Sequence, residues 1–387
     1  MKKYYIASII VFLAVVYAGL TDNMKGIFIP SFKENFQIGD SKISIVLLAA
    51  SIGYIICQYI GGVLVEKIGH KKTYYVAFSL DILGVILIYF SSSFYILVLG
   101  IFLITMGLSM GVLCTNSLIP LIFVSSQAVF MGIVHFSYGI GGTIGQSTSG
   151  FLLNEGFNFR QIYLICGVLA IIMLILAIFS KMPQVDIKKE KKLISLKSVL
   201  KNKIVILFSL TLGFYVMAEG ILGTWLINFL KETYSIEEFK GSKYISIFFL
   251  LFAIGRFFGG FIAEKFGYFK TTITFISLAL ISVFIGIVGG EKFVGLLSIS
   301  GVFFSLVYPV LITAIAKTFK TNKAYILGVI LTITSIIGNG SNFLVGYINE
   351  IFGTYNAFFI VPLGLLLCLI FCICLCKSLK NQKEDSI

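Results

Sequence analysis

Charge is scarce in this sequence. Asp, Glu, Lys and Arg make up 12% of its 387 residues, where a soluble domain carries about 25%. That shortage excludes a soluble globular protein of this length. Segments of about ten residues that alternate apolar with polar are also missing, which excludes an outer-membrane β-barrel. Histidine occurs only twice, and the seven cysteines are scattered in or beside apolar stretches. Their one cluster, Cys372, Cys374 and Cys376, has no histidine or acid beside it. The i, i+2, i+4 spacing is no metal-ligand pattern, so these cysteines read as apolar filler. No metal site and no cofactor are expected. No GxxxxGK[ST] segment appears, which disfavours ATP-driven work by this chain.

Hydrophobic residues fill the space that charge leaves. They are 58% of the chain, with 38 Phe and 38 Gly. The apolar runs are near-continuous over about 20 residues, the length that crosses about 30 Å of hydrocarbon at 1.5 Å per residue. Twelve spans are predicted, at 4–29, 43–65, 73–91, 94–123, 127–153, 159–180, 204–230, 243–263, 271–289, 293–316, 324–349 and 354–376. The first has no small-residue cleavage site and reads as a retained helix, not a signal peptide. The formal net charge of +13 suggests nucleic acid, but the placement of the cations argues against it. Lys2, Lys3, Lys67, Lys71, Lys72, Lys265, Lys270, Lys317, Lys320, Lys323, Lys377, Lys380 and Lys383 all fall on one side of the spans. The central segment 181–203 adds Lys181, Lys188, Lys189, Lys191, Lys192, Lys197, Lys201 and Lys203 to the same side. By the positive-inside rule this side is cytoplasmic and holds both termini. The lysines also suit contact with anionic lipid of the bilayer. The expected organisation is an N-terminal six-helix bundle at 1–180, a basic linker at 181–203, and a C-terminal six-helix bundle with a short tail at 204–387.

The two halves share a sentence. GGVLVEKIGHKK at 61–72 returns as GGFIAEKFGYFK at 259–270. Gly61, Gly62, Glu66, Lys67, Gly69 and Lys72 correspond to Gly259, Gly260, Glu264, Lys265, Gly267 and Lys270, and Lys71 belongs to the first copy only. Both copies join the second helix of a half to the third. Pro120 and Pro309 fall late in the fourth helix of each half, and SGFLLNEGF at 149–157 echoes FLVGYINEIFG at 343–353. Two coincidentally charged loops do not explain matched positions. The pattern G-x3-[DE]-[KR]-x-G-x-[KR]-[KR] resembles the signature loop of the major facilitator superfamily, with Glu66 where Asp is commoner. The resemblance implies an all-α membrane protein of twelve transmembrane helices in two pseudo-symmetric six-helix bundles. It also implies alternating access of a small solute to a site at the midplane. Glycines let helices approach closely. The acid and the cations can pair with one another and with the negative end of a neighbouring helix. The loop residues named above, with Arg256 near the inner end of helix 8, therefore read as a conformational latch and not as a solute site.

Ionisable groups inside a membrane are costly and call for a reason. Asp22 lies late in helix 1, in GLTDNMKGIFIP, beside Asn23. It is a candidate for proton coupling, or else pairs with Lys25 at the interface. His135 in helix 5, in VHFSYGIGGTIGQ, can change charge near neutral pH and has Tyr138 close in sequence. Its plain alternative is a satisfied bundle histidine, while His70 is assigned to the loop. Glu219 in helix 7, in YVMAEGILGTWLINFL, is the first candidate for proton carrier. Trp225 and Asn228 follow on the same helix, with Trp225 about 240° round from Glu219 at 3.6 residues per turn. Asp81 in helix 3 is expected in a structural ion pair. Candidate solute contacts are Asn23, Asn116, Tyr138, Trp225, Asn228, Tyr308 and Asn339.

The segments DNMKGIFIPSF, HFSYGIGGTIG, YVMAEGILGTWL, IGRFFGG and YPVLITAI resemble the fucose-permease-like sugar:proton symporters. In that pattern the helix 1 acid falls near Gly26 and a helix 4 acid falls near Cys114. This chain departs at both places, so fucose itself and that proton relay do not carry over. The resemblance implies proton-coupled uptake of a sugar-like solute by a monomer in a bacterial plasma membrane. The alternative is efflux of apolar or cationic compounds, which compact, Phe-rich chains also perform. The expected partners are a small solute, protons and the lipid bilayer, with no nucleic acid.

Overall fold

A computed structural model of the chain describes residues 4–183 and 194–384. Lys2, Lys3, Lys188, Lys189, Lys191 and Lys192, with much of the expected linker, lie outside the described residues. In chain order the helices are α1 (Tyr5–Asn23), α2 (Ile29–Phe36), α3 (Asp40–Tyr89), α4 (Phe94–Ile122), α5 (Gln127–Asn154), α6 (Phe159–Phe179), α7 (Leu196–Lys201), α8 (Lys203–Tyr234), α9 (Glu238–Phe266), α10 (Tyr268–Val288), α11 (Gly295–Ser305), α12 (Val307–Thr318), α13 (Lys323–Phe358) and α14 (Ile360–Glu384).

Among the described residues, eleven helices are long and apolar enough to cross a membrane. The twelfth expected span is hidden inside α3, which breaks at Gly69 with φ 81° and ψ 163°. α13 breaks the same way at Gly353, with φ 80° and ψ 160°. The same positive φ occurs at Gly156 (88°) and Gly267 (89°). These four glycines stand at the ends of the second, fifth, eighth and eleventh spans. A side chain is strained in this region of backbone space, at a cost of about 1–3 kcal/mol. Gly69→Ala should therefore lower the thermal unfolding midpoint of the purified protein. Gly26→Ala, where a Cβ meets nothing within 4 Å, should leave it unchanged.

The helices are apolar on all sides, as membrane helices are. α6 buries Ile162, Tyr163, Cys166, Ala170 and Met173 while exposing Ile165, Val168, Ile172, Ile175 and Phe179. Its N-terminus is held by a capping box between Asn158 and Gln161. The first expected span is shorter than 4–29. α1 gives way to a 3-10 turn at Met24–Gly26, and the chain resumes as α2, anchored by Phe28 and Phe32 on Phe159.

The chain forms two compact units. The first comprises Met1–Ser125, Val134–Leu193 and Lys320–Val329, and the second Ser126–Ile133, Ile194–Phe319 and Ile330–Ile387. Each unit is thus one half of the sequence plus a short piece of the other half. In the first unit, α3 packs on α4 and α6, and α1 packs on α4 and α6. α1 also meets α5 backbone to backbone. A Cβ at Gly19 would stand 2.1 Å from the Tyr138 carbonyl oxygen, and one at Gly141 would stand 2.1 Å from that of Val16. In the second unit, α8 packs on α14, α9 on α11, and α10 on both α11 and α14.

Candidate functional site

The second unit holds an ion pair between neighbouring helices. Arg256 Nη2 of α9 lies 3.5 Å from Glu219 Oε1 of α8, and the two side chains are 14% and 23% exposed. Both are mostly withdrawn from solvent, yet neither is sealed. The guanidinium also stacks over the Phe252 ring at 4.1 Å. Tyr215, one turn before Glu219, donates its hydroxyl to the Phe304 carbonyl at 2.8 Å. The Tyr308 ring lies 6.5 Å from that of Tyr215, and both tyrosines are within electrostatic reach of Glu219 and Arg256. Arg256 is therefore bound to Glu219, while its backbone lies against Gly132 of α5. Tyr215 and Phe252 were not singled out from sequence, although Tyr215 sits at i−4 in the YVMAE segment.

Trp225 does not join this cluster. Its ring edge lies against Gly346 of α13, 3.8 Å from a Cβ built there. The indole N–H is buried and has no hydrogen-bond partner. Glu219 thus faces α9 and Trp225 faces α13, as their angular separation on α8 implies. Asn228 is half-buried and Asn339 is exposed.

In the first unit, Asp22 forms an ion pair with Lys25 and accepts a hydrogen bond from the Tyr138 hydroxyl at 2.9 Å. The aspartate thus bridges α1 to α5, and the interfacial pairing with Lys25 coexists with a contact to a candidate solute residue. Asn23 donates to the Gly19 carbonyl at 2.8 Å and abuts Gly142. His135, one turn before Tyr138, is buried. Asn116 of α4 is 1% exposed, and both ends of its amide lack a hydrogen-bond partner.

The repeated loops make one contact twice. Glu66 Oε1 accepts from the Ala324 N–H at 2.9 Å, and Glu264 Oε1 accepts from the Ala128 N–H at 3.0 Å. Each acid caps the first turn of a long helix, the start of α13, which belongs to the first unit, and the start of α5, which belongs to the second. The glycines make room for it. A Cβ at Gly62 would stand 2.6 Å from the Ala324 carbonyl oxygen, and one at Gly260 would stand 2.4 Å from Val129 Cα. Gly61 packs on Met110 and Leu113, and Gly259 on Leu306. The polarity differs from the expected one, because the acids take the positive, N-terminal ends of helices. A cation does take a negative end, since Lys71 Nζ donates to the Ile178 carbonyl at 2.7 Å, near the end of α6. Glu264 also accepts from the Tyr268 hydroxyl at 2.8 Å, which in turn meets Lys317. Lys67, Lys72, Lys265 and Lys270 are exposed. His70 is not a solvated loop residue. It is 2% exposed, with Nε2 3.1 Å from Ser117 Oγ.

Comparison with known proteins agrees with this architecture. Residues 11–337 match the profile of the Major Facilitator Superfamily. A protein TsgA homolog of Buchnera aphidicola is 22% identical over 352 residues, covering 89% of each chain. A putative glucose/galactose transporter of Helicobacter pylori is 22% identical over 320 residues, covering 75% of this chain and 76% of its own. The crystal structure of the E. coli fucose:proton symporter FucP superposes with a TM-score of 0.82 at 19% identity, over 96% of this chain and 99% of that one. At that identity the likeness is one of fold.

Proposed function

Because the chain belongs to the major facilitator superfamily, we propose that it is a multi-pass secondary transporter that takes up a sugar or similar small polar solute together with protons. The observation that carries the proton part is the Glu219–Arg256 pair, within reach of two tyrosines and still open to solvent. Protonation of Glu219 removes the charge that holds Arg256 and frees the guanidinium for other partners. Asp22 with Tyr138, and His135 one turn away, form a second titratable group in the first unit. Tyr308, Asn23, Asn116, Asn228, Asn339 and Trp225 supply the donors and acceptors for solute hydroxyls. The buried, unpartnered amide of Asn116 and indole N–H of Trp225 are the kind of groups that a polar ligand satisfies. The likeness to the Helicobacter pylori protein supports the solute class.

In this reading the N-terminal and C-terminal halves rock to expose the solute site alternately, and the Glu66 and Glu264 caps form in one arrangement and break in the other. The protein works as a monomer in a bacterial plasma membrane with both termini cytoplasmic. Proteoliposomes with an imposed pH gradient should accumulate a labelled hexose such as glucose, galactose or fucose, and a protonophore should collapse the accumulation. Gradient-independent equilibration would remove the proton. Absence of transport across a panel of hexoses, together with export of a lipophilic cation, would replace uptake with efflux.

A further inference from the structure

The two copies of the repeated loop differ at the residue four places after the acid. Tyr268 in the second copy stands where His70 stands in the first. The Tyr268 hydroxyl reaches Glu264 at 2.8 Å and meets Lys317, so acid, phenol and cation close on one another. His70 turns instead to α4. Its Nε2 lies 3.1 Å from Ser117 Oγ, and its backbone carbonyl accepts from Cys114 Sγ at 3.4 Å. Beside the first acid there is a cavity of about 320 Å³, a size within the range of small-molecule pockets, about 300–1,000 Å³. Its wall includes Glu66 and His70 of α3, Ser117 of α4, and Lys320, Asn322 and Lys323 at the entry to α13, all within the first unit.

The chemistry of this wall selects the ligand. Two ammonium groups line the cavity against one carboxylate, and that carboxylate already accepts from the Ala324 N–H at 2.9 Å. The first turn of α13 adds the positive end of a long helix. These features together call for an anion, and a phosphate is the anion that lysines and helix starts commonly hold. Two wall residues call for something more. His70 is 2% exposed and Asn322 is 6% exposed, yet His70 Nδ1 and Asn322 Oδ1 have no hydrogen-bond partner. Ser117 donates its hydroxyl to the Cys114 carbonyl at 2.9 Å, so it accepts from the N–H at His70 Nε2, and Nδ1 of the neutral ring is left as an acceptor. Both unpartnered atoms are thus acceptors in need of donors. A ligand that carries a phosphate and hydroxyls answers both demands, where an inorganic anion answers one. We propose that this cavity binds a small polyol phosphate against the first turn of α13. Bound there, the ligand joins α3, α4 and α13 and steadies the Glu66 cap. The same chemistry occurs in soluble polyol phosphates and in the headgroup of phosphatidylglycerol, and the test separates the two.

The test is thermal unfolding of the purified full-length protein in detergent, titrated with glycerol 3-phosphate at constant ionic strength. The unfolding midpoint should rise in a saturable way. Glycerol should leave it level, and inorganic phosphate should act only at concentrations about tenfold higher. Lys320→Gln and Lys323→Gln should each raise the half-saturating concentration by about tenfold, the worth of one contact to a charged group. Amide hydrogen exchange at 320–329 should slow when the ligand is bound. A lysine-dependent rise on adding phosphatidylglycerol to phosphatidylcholine nanodiscs, with none for free glycerol 3-phosphate, would assign the phosphate to lipid. No response to either source would overturn the site, as would a response that both lysine variants keep in full. Unchanged exchange at 320–329 under saturating ligand would overturn it as well, and equal potency of inorganic phosphate would overturn the part given to the hydroxyls. None of these readings depends on the proposed solute or on proton coupling.

Discussion

Glu219→Gln is expected to abolish pH-driven accumulation of solute while solute exchange at equal pH on both sides continues. The reason lies in what each assay demands. In the proposed cycle, net uptake has Glu219 bind and release a proton each time, alternately freeing and reclaiming Arg256, which lies 3.5 Å away. Two unit charges about 4 Å apart attract by about 4 kcal/mol at the effective dielectric of a partly buried site, before desolvation is subtracted. That gross attraction is large enough to gate a conformational step. Glutamine keeps the shape and the acceptor oxygen but holds the position permanently neutral. Exchange needs no proton to leave, so it persists. A second comparison separates mechanism from folding. Arg256→Gln leaves the carboxylate without its cation and should destabilise the protein more than the Glu219→Gln, Arg256→Gln double variant does. Near-normal accumulation in Glu219→Gln would remove Glu219 from coupling. In that case Asp22 would become the next carboxylate to test, by Asp22→Asn with Tyr138→Phe.

The fold was legible because its signals are collective. Twelve apolar runs, one-sided lysines and a loop written twice cannot be produced by a few residues. The number of long helices was harder to anticipate, because Gly69 interrupts α3 by its backbone torsion alone. A torsion leaves no mark on hydrophobic periodicity. The sites were legible as residue types but not as pairings. Glu219 and Arg256 are intramembrane charges and stand out by rarity. Their contact depends on how α8 lies against α9, and the place of Arg256 near the inner end of helix 8 points to the latch instead. Trp225 and Glu219 share a helix, yet they face different neighbours. Asp81 looked like one half of an ion pair because a buried carboxylate usually has a cation. The packing places it instead in a notch at Gly107, with neither carboxylate oxygen hydrogen-bonded. The partners of Glu66 and Glu264 were invisible for a different reason. Both are backbone N–H groups of alanines, and every residue except proline has one.

Removing either of those two acids should loosen both capped helix starts, and hydrogen exchange can show whether it does. A helix-capping contact is worth about 0.5–2 kcal/mol, and the charge of a carboxylate at a helix N-terminus contributes to it. A loss of about 1.4 kcal/mol multiplies the population of the uncapped arrangement about tenfold. Where opening is fast, amide exchange follows that population. If Glu66 and Glu264 latched independent local structures, Glu66→Ala would speed exchange only at 320–329, and Glu264→Ala only at 126–133. The rocking proposal makes a stronger demand. One conformational equilibrium breaks both caps, so each variant should speed exchange in both segments, by about twofold to thirtyfold for a cap in the usual range. The double variant should approach the product of the single effects, because the two capping contacts share no residue. Glu66→Gln, which keeps an acceptor oxygen but loses the charge, should fall between wild type and Glu66→Ala. Effects confined to the mutated cap would leave the repeated loop as a pair of helix caps and would end its role as a latch on a common transition.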